Sequence, residues 1–307
     1  MLVYINPKSI GHTQFELLLN EFPNVEFITD EHLAHLAEVC VIMPNFFIDH
    51  SIESFHNLKW VQLLMAGYDN FDFSPFYEKG ILVSNAVDIF SKSIAEDVFT
   101  KILVINRNVK HYIKSMESET WDLIRKEPEL TNSTVGIIGA GSIGKEVAKR
   151  MKAFDAYVIG YKRTKAKIDY FDEILTGDSG LENLLKRSDY VIVAVPLNEE
   201  TKDLMNKERI GWMKKNAILI NVARGQVINQ DALVTALKEN KIRGAGLDVT
   251  TPEPLPKGHP LWKMDHVFIT PHNASSSPFM QERLQKLIVH NLNRYLKGLE
   301  PDYIVFR

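Results

Sequence analysis

Val135-Gly136-Ile137-Ile138-Gly139-Ala140-Gly141-Ser142-Ile143-Gly144 is the stretch from which the rest of the chain is read. The apolar run over 134–138 leads into the glycines, and Ile143, Val147, Met151 and Phe154 follow at helical spacing. A strand, a glycine turn and a helix in that order make the phosphate-binding corner of a dinucleotide fold. Gly139 permits the tight turn, Gly141 lets the backbone approach a pyrophosphate, and Gly144 permits close packing of helix on strand. Ser142 and Ile143 open the helix, whose unpaired N–H groups and positive dipole end favour an anion. Gly139, Gly141, Ser142 and Ile143 are therefore candidate cofactor contacts. The competing reading is a glycine-rich turn without a ligand, and the strand and helix on either side weigh against it.

Outward from this corner, short apolar runs alternate with longer amphipathic stretches. Strands are expected over 134–138, 157–161, 190–195, 217–221, 244–248 and 267–270, the pattern of a doubly wound sheet. The first third repeats the alternation, with strands expected over 2–5, 25–28, 39–43, 60–64 and 81–84, so a further parallel sheet is expected there. Ile94, Val98, Ile102 and Ile105 recur every three or four residues and predict a long amphipathic helix over 93–108 that links two domains. In the tail, Leu284, Leu287, Ile288, Leu292, Tyr295 and Leu296 share one helical face, with Ser277 expected as the cap and Pro278 in the first turn. At 307 residues the chain exceeds the usual size of one hydrophobic core, so two domains are expected.

Composition narrows the partners. Hydrophobic residues at 45% and charged residues at 24% exclude a disordered or fibrous chain. A net charge of -3 offers no broad basic field, so small molecules are expected as partners rather than nucleic acid or a membrane. Cys40, the only cysteine, lies in the apolar run Val39-Cys40-Val41-Ile42-Met43, and no intrachain disulfide can form. The start, Met1-Leu2-Val3-Tyr4-Ile5-Asn6-Pro7, lacks the basic region of a signal peptide, and no apolar run approaches the ~20 residues of a membrane helix. A cytoplasmic protein is expected. The histidines show no metal-ligand spacing, and no metal is expected.

After the second strand of the doubly wound half the chain reads Gly160-Tyr161-Lys162-Arg163-Thr164-Lys165. An NAD site usually carries an acidic residue about 20 positions beyond the glycines, where it accepts from the ribose hydroxyls. Here no carboxylate is present; Lys162 and Arg163 can pair with a 2′-phosphate and Thr164 can donate to it, which favours NADP. The alternative is a set of solvated loop cations.

The ordered set Gly139-Ala140-Gly141-Ser142-Ile143-Gly144, Val195-Pro196-Leu197, Asn221-Val222-Ala223-Arg224-Gly225, Leu247-Asp248-Val249, Glu253-Pro254-Leu255 and Thr270-Pro271-His272 resembles the D-isomer-specific 2-hydroxyacid dehydrogenase family over essentially the whole chain. Gly246-Leu247-Asp248-Val249-Thr250-Thr251-Pro252-Glu253-Pro254-Leu255-Pro256 is similar to its glyoxylate/hydroxypyruvate reductase branch, which commonly uses NADPH. The resemblance implies an α/β protein of two Rossmann-like domains with parallel sheets. A nucleotide domain over 101–282 would be inserted into a substrate domain made of 1–100 and 283–307, with the active site in the cleft between them and a homodimer as the assembly. It implies reduction of a small 2-keto acid to the D-2-hydroxy acid, with NADP(H) preferred and NAD(H) possible.

The resemblance also distributes roles. Arg224 holds the substrate, His272 is the acid/base and touches both substrate and cofactor, and Glu253 supports the histidine. Asp248 faces the nicotinamide carboxamide, Val222 and Ala223 lie beside the ring, and Val195, Pro196 and Ala274 complete the cofactor contacts. In the loop Leu64-Met65-Ala66-Gly67-Tyr68-Asp69-Asn70, Ala66 and Gly67 offer backbone N–H groups to the substrate carboxylate. The chemistry suits these types. Reduction builds negative charge on the carbonyl oxygen, so a nearby acid must deliver a proton, and a carboxylate beside an imidazole favours the charged ring that carries it. Arginine, planar and permanently charged, can bridge carboxylate and carbonyl.

Two positions depart from the family pattern. Asp97 stands where a histidine often follows Ser93-Ile94-Ala95-Glu96, and it is given no catalytic role; Asn273 follows His272 where glycine or alanine often comes soon after. Three other readings remain: a dinucleotide-sensing regulator, a phosphoglycerate-type dehydrogenase and a nucleotide-fold methyltransferase. The chain shows no appended tail beyond Arg307, which weighs against the first, and a methyltransferase would leave the basic residues after Tyr161 without a phosphate to meet.

Overall fold

The β-branched and aliphatic runs form two all-parallel sheets in the computed structural model, which describes residues 1–43, 45–69 and 71–305. The chain divides into two compact units, residues 1–90 with the segment from Ser277 onward, and Ser91–Ser276. In the first unit β1 (Leu2–Ile5), β2 (Glu26–Ile28), β3 (Val39–Ile42), β4 (Trp60–Leu63) and β5 (Leu82–Ser84) lie in the order β2-β1-β3-β4-β5. β3 and β4 are buried at every residue, as parallel strands covered on both faces must be. Helices α1 (Pro7–Ile10), α2 (His12–Glu21), α3 (Phe46–Asp49) and α4 (Ser74–Glu78) occupy the connections. Alternate strand residues divide the core: Val3, Ile5, Val39, Val41 and Trp60 pack with Leu284, Leu287, Ile288 and Leu292 of the C-terminal helix (Met280–Leu296). Tyr4, Cys40, Ile42, Val61 and Leu63 face the other way, onto Phe55, Phe73 and Phe76.

The C-terminal helix begins later than expected. Its cap position is Phe279, and the Ser277 hydroxyl accepts the Phe279 N–H at 3.2 Å in the preceding turn. Ser277 is therefore not the helix cap: its short side chain bonds two residues ahead, a local alternative that competes with the first helical turn.

The second unit opens with α5 (Ser91–Asn106) and α6 (Val109–Glu117), followed by β6 (Thr134–Ile138), α7 (Ser142–Lys152), β7 (Tyr157–Tyr161) and β8 (Glu173–Leu175). It continues through α8 (Gly177–Arg187), β9 (Tyr190–Val193), α9 (Lys207–Gly211), β10 (Ile218–Asn221), α10 (Gln230–Lys238), β11 (Gly244–Leu247) and β12 (Val267–Ile269). The strand order β12-β11-β10-β9-β6-β7-β8 is doubly wound: the chain runs outward from β6 through β8, returns beside β6 at β9, and then runs the other way. The order reverses between β6 and β9, and such sheets bind ligands beyond the carboxyl ends of the strands at a reversal of this kind. One face packs Val135, Ile137, Ile192 and Ile220 against α5 and α7 through Val98, Ile102, Val147 and Met151; the other packs Ile138, Val191, Val193 and Leu219 against α8 and α10 through Leu184 and Leu233. β8 was not anticipated, being three residues at the sheet edge without an apolar run. It is held instead by Ile174, which with Phe171 fills the space left by the missing side chain of Gly160 on β7. Among the described residues no helix is long and apolar enough to cross a membrane.

A buried polar chain fastens the C-terminal helix to the first sheet. The Trp60 indole N–H donates to Ser84 Oγ at 2.9 Å, Ser84 donates to Gln62 Oε1 at 2.9 Å, and Asn291 Nδ2 donates to the same oxygen at 2.7 Å. Asn291 Oδ1 in turn accepts the Asp302 N–H at 2.9 Å. Truncating Asn291 strands these groups in a dry interior, so Asn291→Ala is expected to lower the stability of the first unit by roughly 2 kcal/mol, read as a lower urea midpoint. An unchanged midpoint would show that the bond chain does not hold the helix.

Candidate active site

The three glycines after β6 lack side chains for three different reasons. Gly139 has φ 107°, and a Cβ there would stand 2.3 Å from the Ala194 carbonyl oxygen. A Cβ on Gly144 would stand 2.2 Å from the Gly139 carbonyl oxygen, so α7 starts directly against the turn. A Cβ on Gly141 would meet nothing within 4 Å. No neighbouring protein atom requires a glycine at 141, so the open space there suits an approaching ligand. Ser142 starts α7, and its hydroxyl makes a short hydrogen bond with that of Ser91 at the start of α5. Gly141 at the cap position supplies no side-chain acceptor, so the first N–H groups of α7 are presented as an anion site would present them. Ile143 is partly buried beneath them against the core.

Lys162, Arg163 and Thr164 follow the carboxyl end of β7, next to the glycine corner because β7 pairs with β6. Lys162 is half-buried, with its N–H on the Leu175 carbonyl at 3.2 Å; Arg163 and Thr164 are exposed. Arg163 Nη1 lies 3.6 Å from Glu200 Oε2, and both side chains are largely exposed, so this pair holds Arg163 only weakly. Val195 is partly buried and Pro196 exposed after β9.

At the other end of the sheet the structure assembles an imidazole, a carboxylate and the turn that holds them. His272 Nδ1 is 2.9 Å from Glu253 Oε2, and Glu253 Oε1 accepts the Thr250 N–H at 3.1 Å, which fixes the carboxylate from behind. His272 has φ 50°, a left-handed conformation costing of order 1 kcal/mol for a residue with a side chain. Asp248 holds it there. The Asp248 carbonyl accepts the His272 N–H at 2.8 Å; its Oδ1 accepts the Asn273 N–H at 2.9 Å and its Oδ2 the Ala274 N–H at 3.1 Å. Asp248 is only 4% exposed, and these bonds compensate the burial of its charge.

Arg224 follows β10, where Val222 and Ala223 are buried. Asn221, which the sequence reading did not single out, shapes this turn by accepting the Ala223 N–H and donating to the Arg224 carbonyl, both at 3.0 Å. A Cβ on Gly225 would stand 2.0 Å from the Thr250 carbonyl oxygen, so the loop carrying Arg224 is pressed against the loop carrying Glu253. Arg224 Nη1 donates to the Ala223 carbonyl at 2.8 Å. Ala66 and Gly67 belong to the first unit, in the loop after β4, where the Ala66 carbonyl accepts Asn85 Nδ2 at 2.7 Å. Asn70, the last residue of that quoted loop, lies outside the described residues.

The sequence reading also missed Lys101. It is 0% exposed on α5, paired with Asp97 one turn earlier, and its Nζ donates to Thr270 Oγ1 at 2.6 Å. Burial raises the Asp97 carboxyl above the ordinary carboxylate range, with Lys101 opposing the rise and Asp248 adding to it.

The family model described as "D-isomer specific 2-hydroxyacid dehydrogenase, NAD binding domain" matches residues 99–274. A glyoxylate reductase of Pyrococcus horikoshii is 38% identical over 280 residues, covering 88% of this chain and 83% of the relative. A D-3-phosphoglycerate dehydrogenase of Methanocaldococcus jannaschii is 39% identical over 277 residues, covering 88% of this chain and 52% of the relative. Among solved structures, an NADPH-dependent glyoxylate/hydroxypyruvate reductase of Sinorhizobium meliloti in complex with NADP and sulfate superposes with a TM-score of 0.79 at 25% identity, covering 99% of this chain and 98% of that one.

The glycine geometry separates folding from binding. Gly141→Val should leave the melting temperature unchanged while weakening dinucleotide binding at least about tenfold, or ~1.4 kcal/mol, because the new side chain meets only ligand. Gly144→Ala should lower both, since its Cβ strikes backbone. Cofactor fluorescence titration beside thermal melts checks this, and a Gly141→Val protein with parental affinity would place the phosphates elsewhere.

Proposed function

The chain belongs to the D-isomer specific 2-hydroxyacid dehydrogenase family, and from that premise we propose that it reduces a small 2-keto acid of the glyoxylate or hydroxypyruvate type to the D-2-hydroxy acid with NADPH. The observation that carries the reading is the 2.9 Å contact between His272 Nδ1 and Glu253 Oε2, at the strand ends that also present Arg224 and Asp248. When bound, the nicotinamide supplies a hydride to the keto carbon. Glu253, on Nδ1, orients the ring, so Nε2 is the atom left to deliver a proton to the carbonyl oxygen. Arg224 turns its guanidinium onto the substrate carboxylate and carbonyl and fixes the face presented for reduction. Ala66 and Gly67 add backbone N–H groups to the carboxylate. Val222, Ala223 and Asp248 would hold the nicotinamide, and Val195, Pro196 and Ala274 would complete the cofactor contacts.

Lys162, Arg163 and Thr164 support the preference for NADPH, since β7 presents two cations and a hydroxyl and no ribose-binding carboxylate. NADH then serves as the poorer cofactor. A phosphoglycerate-type reading has the Methanocaldococcus jannaschii relative in its favour. Against it, Met65, Ala66, Gly67 and Tyr68 carry no positive charge for a substrate phosphate. A cytoplasmic homodimer acting on small molecules completes the reading.

Three measurements test it. His272→Asn should cut kcat for keto acid reduction by about 10²-fold or more with NADPH affinity nearly unchanged, and Arg224→Lys should raise KM as well as lower kcat. A folded His272→Asn enzyme with full kcat would remove the proposed acid and favour a sensing role. NADPH should exceed NADH in kcat/KM, and Lys162→Asp should move the ratio toward NADH; equal use of both cofactors by the parent sinks the phosphate site. Glyoxylate or hydroxypyruvate should outperform 3-phosphohydroxypyruvate, and a wide margin the other way would reassign the substrate.

A further inference from the structure

We propose that Lys101 is a positioning residue of this active site: through Thr270 and Asp248 it sets the turn on which His272 stands. What His272 does there rests on the reductase reading, whereas the placement of Lys101 rests on geometry alone. Lys101 falls on the stripe of α5 that carries Ile94, Val98 and Ile105 into the core, and no part of its side chain reaches solvent. The sheet makes room for its stem. A Cβ on Gly246 of β11 would stand 2.7 Å from Lys101 Cβ and 3.1 Å from its Cδ.

An ammonium carried this far into a protein needs partners, and those it has point to the acid/base turn. Asp97 pairs with it from one helical turn away, Thr270 Oγ1 is 2.6 Å from Nζ, and Asp248 Oδ1 is 3.9 Å away. The ammonium only donates, so the Thr270 hydroxyl accepts from Lys101 and gives its single hydrogen to Asp248 Oδ1 at 2.6 Å. The direction of every bond is thereby forced, from Lys101 to Thr270 to Asp248. The same Asp248 carboxylate takes the N–H groups of Asn273 and Ala274, and its carbonyl takes that of His272. A second tie runs from α5 to this loop, where Ser93 Oγ donates to the Ser275 carbonyl at 3.1 Å. The helix thus braces the turn at both ends. A methionine would fill the channel of Lys101 at similar volume, and an apolar replacement of buried charge is often tolerated for stability. It cannot orient Thr270.

Lys101→Met and Thr270→Val, made in the full chain, separate these contributions; the valine deletes only the bridging hydroxyl and guards against a lysine variant that fails to fold. With active sites counted by NADPH titration, Lys101→Met should lower kcat for glyoxylate by about 10²-fold and Thr270→Val by about tenfold, with NADPH affinity within about threefold of the parent in both. Hydrogen–deuterium exchange read by mass spectrometry should accelerate over residues 272–274 in both variants and stay parental in the first unit. Folded variants with parental kcat and parental exchange over 272–274 would overturn the proposal, whatever their melting temperature, and leave Lys101 as a core filler. A parent inactive toward every keto acid would overturn the reductase reading alone, and the exchange rates over 272–274 would still decide the role of Lys101.

Discussion

A carboxylate with almost no access to water must find its hydrogen bonds inside the protein, and Asp248 finds them in the backbone that carries His272. This constraint organises the His272 end of the candidate site. It explains how a left-handed histidine is held, since the turn from Thr270 to Ala274 closes on one acceptor group. It also makes the turn tolerant of the departure at Asn273. What Asp248 binds is the N–H of that residue, which every amino acid except proline supplies, so the change of side chain leaves the turn in place.

The parallel sheet gives the site its linear order. All strands of the second unit end on one edge, and the candidate groups follow them in spatial sequence: the basic residues after β7, the glycines after β6, Val195 after β9, Arg224 after β10, Asp248 after β11 and His272 after β12. Neighbouring strands are about 4.8 Å apart, so this row runs for on the order of 20 Å, the reach of an extended dinucleotide and a small substrate beyond it. The glycines and basic residues gather at one end and the His272–Glu253 pair at the other, and the proposed dinucleotide would run between them.

The strands were legible in the sequence because parallel strands buried on both faces leave continuous apolar runs, and the candidate residues stand just past the ends of those runs. Tyr190-Val191-Ile192-Val193 and Ile218-Leu219-Ile220-Asn221 marked their strands within a residue or two. β8 was not legible, because Glu173-Ile174-Leu175 is an edge strand whose fit depends on a glycine in its neighbour. The start of the C-terminal helix was misread because Ser277 satisfies the signature of a cap and also that of a local turn, and only the backbone beyond decides between them. Asn221 escaped notice for a related reason: it closes a strand, yet its use is to shape the turn that follows.

Lys101 shows where reading by residue type fails. An Asp and a Lys four residues apart on a helix ordinarily describe a solvated face, and Asp97 and Lys101 have that spacing. The position of Lys101 argues otherwise, since it shares the apolar stripe of Ile94, Val98 and Ile105, and an exposed pair would have to leave that stripe. The strand opposite adds the missing half. β11 reads Gly244-Ala245-Gly246-Leu247, a composition poorly suited to packing; Gly246 becomes intelligible once a long side chain must pass over it, while a Cβ on Gly244 would meet the His266 carbonyl oxygen. Neither pattern is informative alone. Taken together, a charge inside an apolar stripe and a gap in the strand it faces describe a cation held in the core, taken directly by Asp97 and Thr270, with Thr270 bridging to the carboxylate on which the His272 turn hangs.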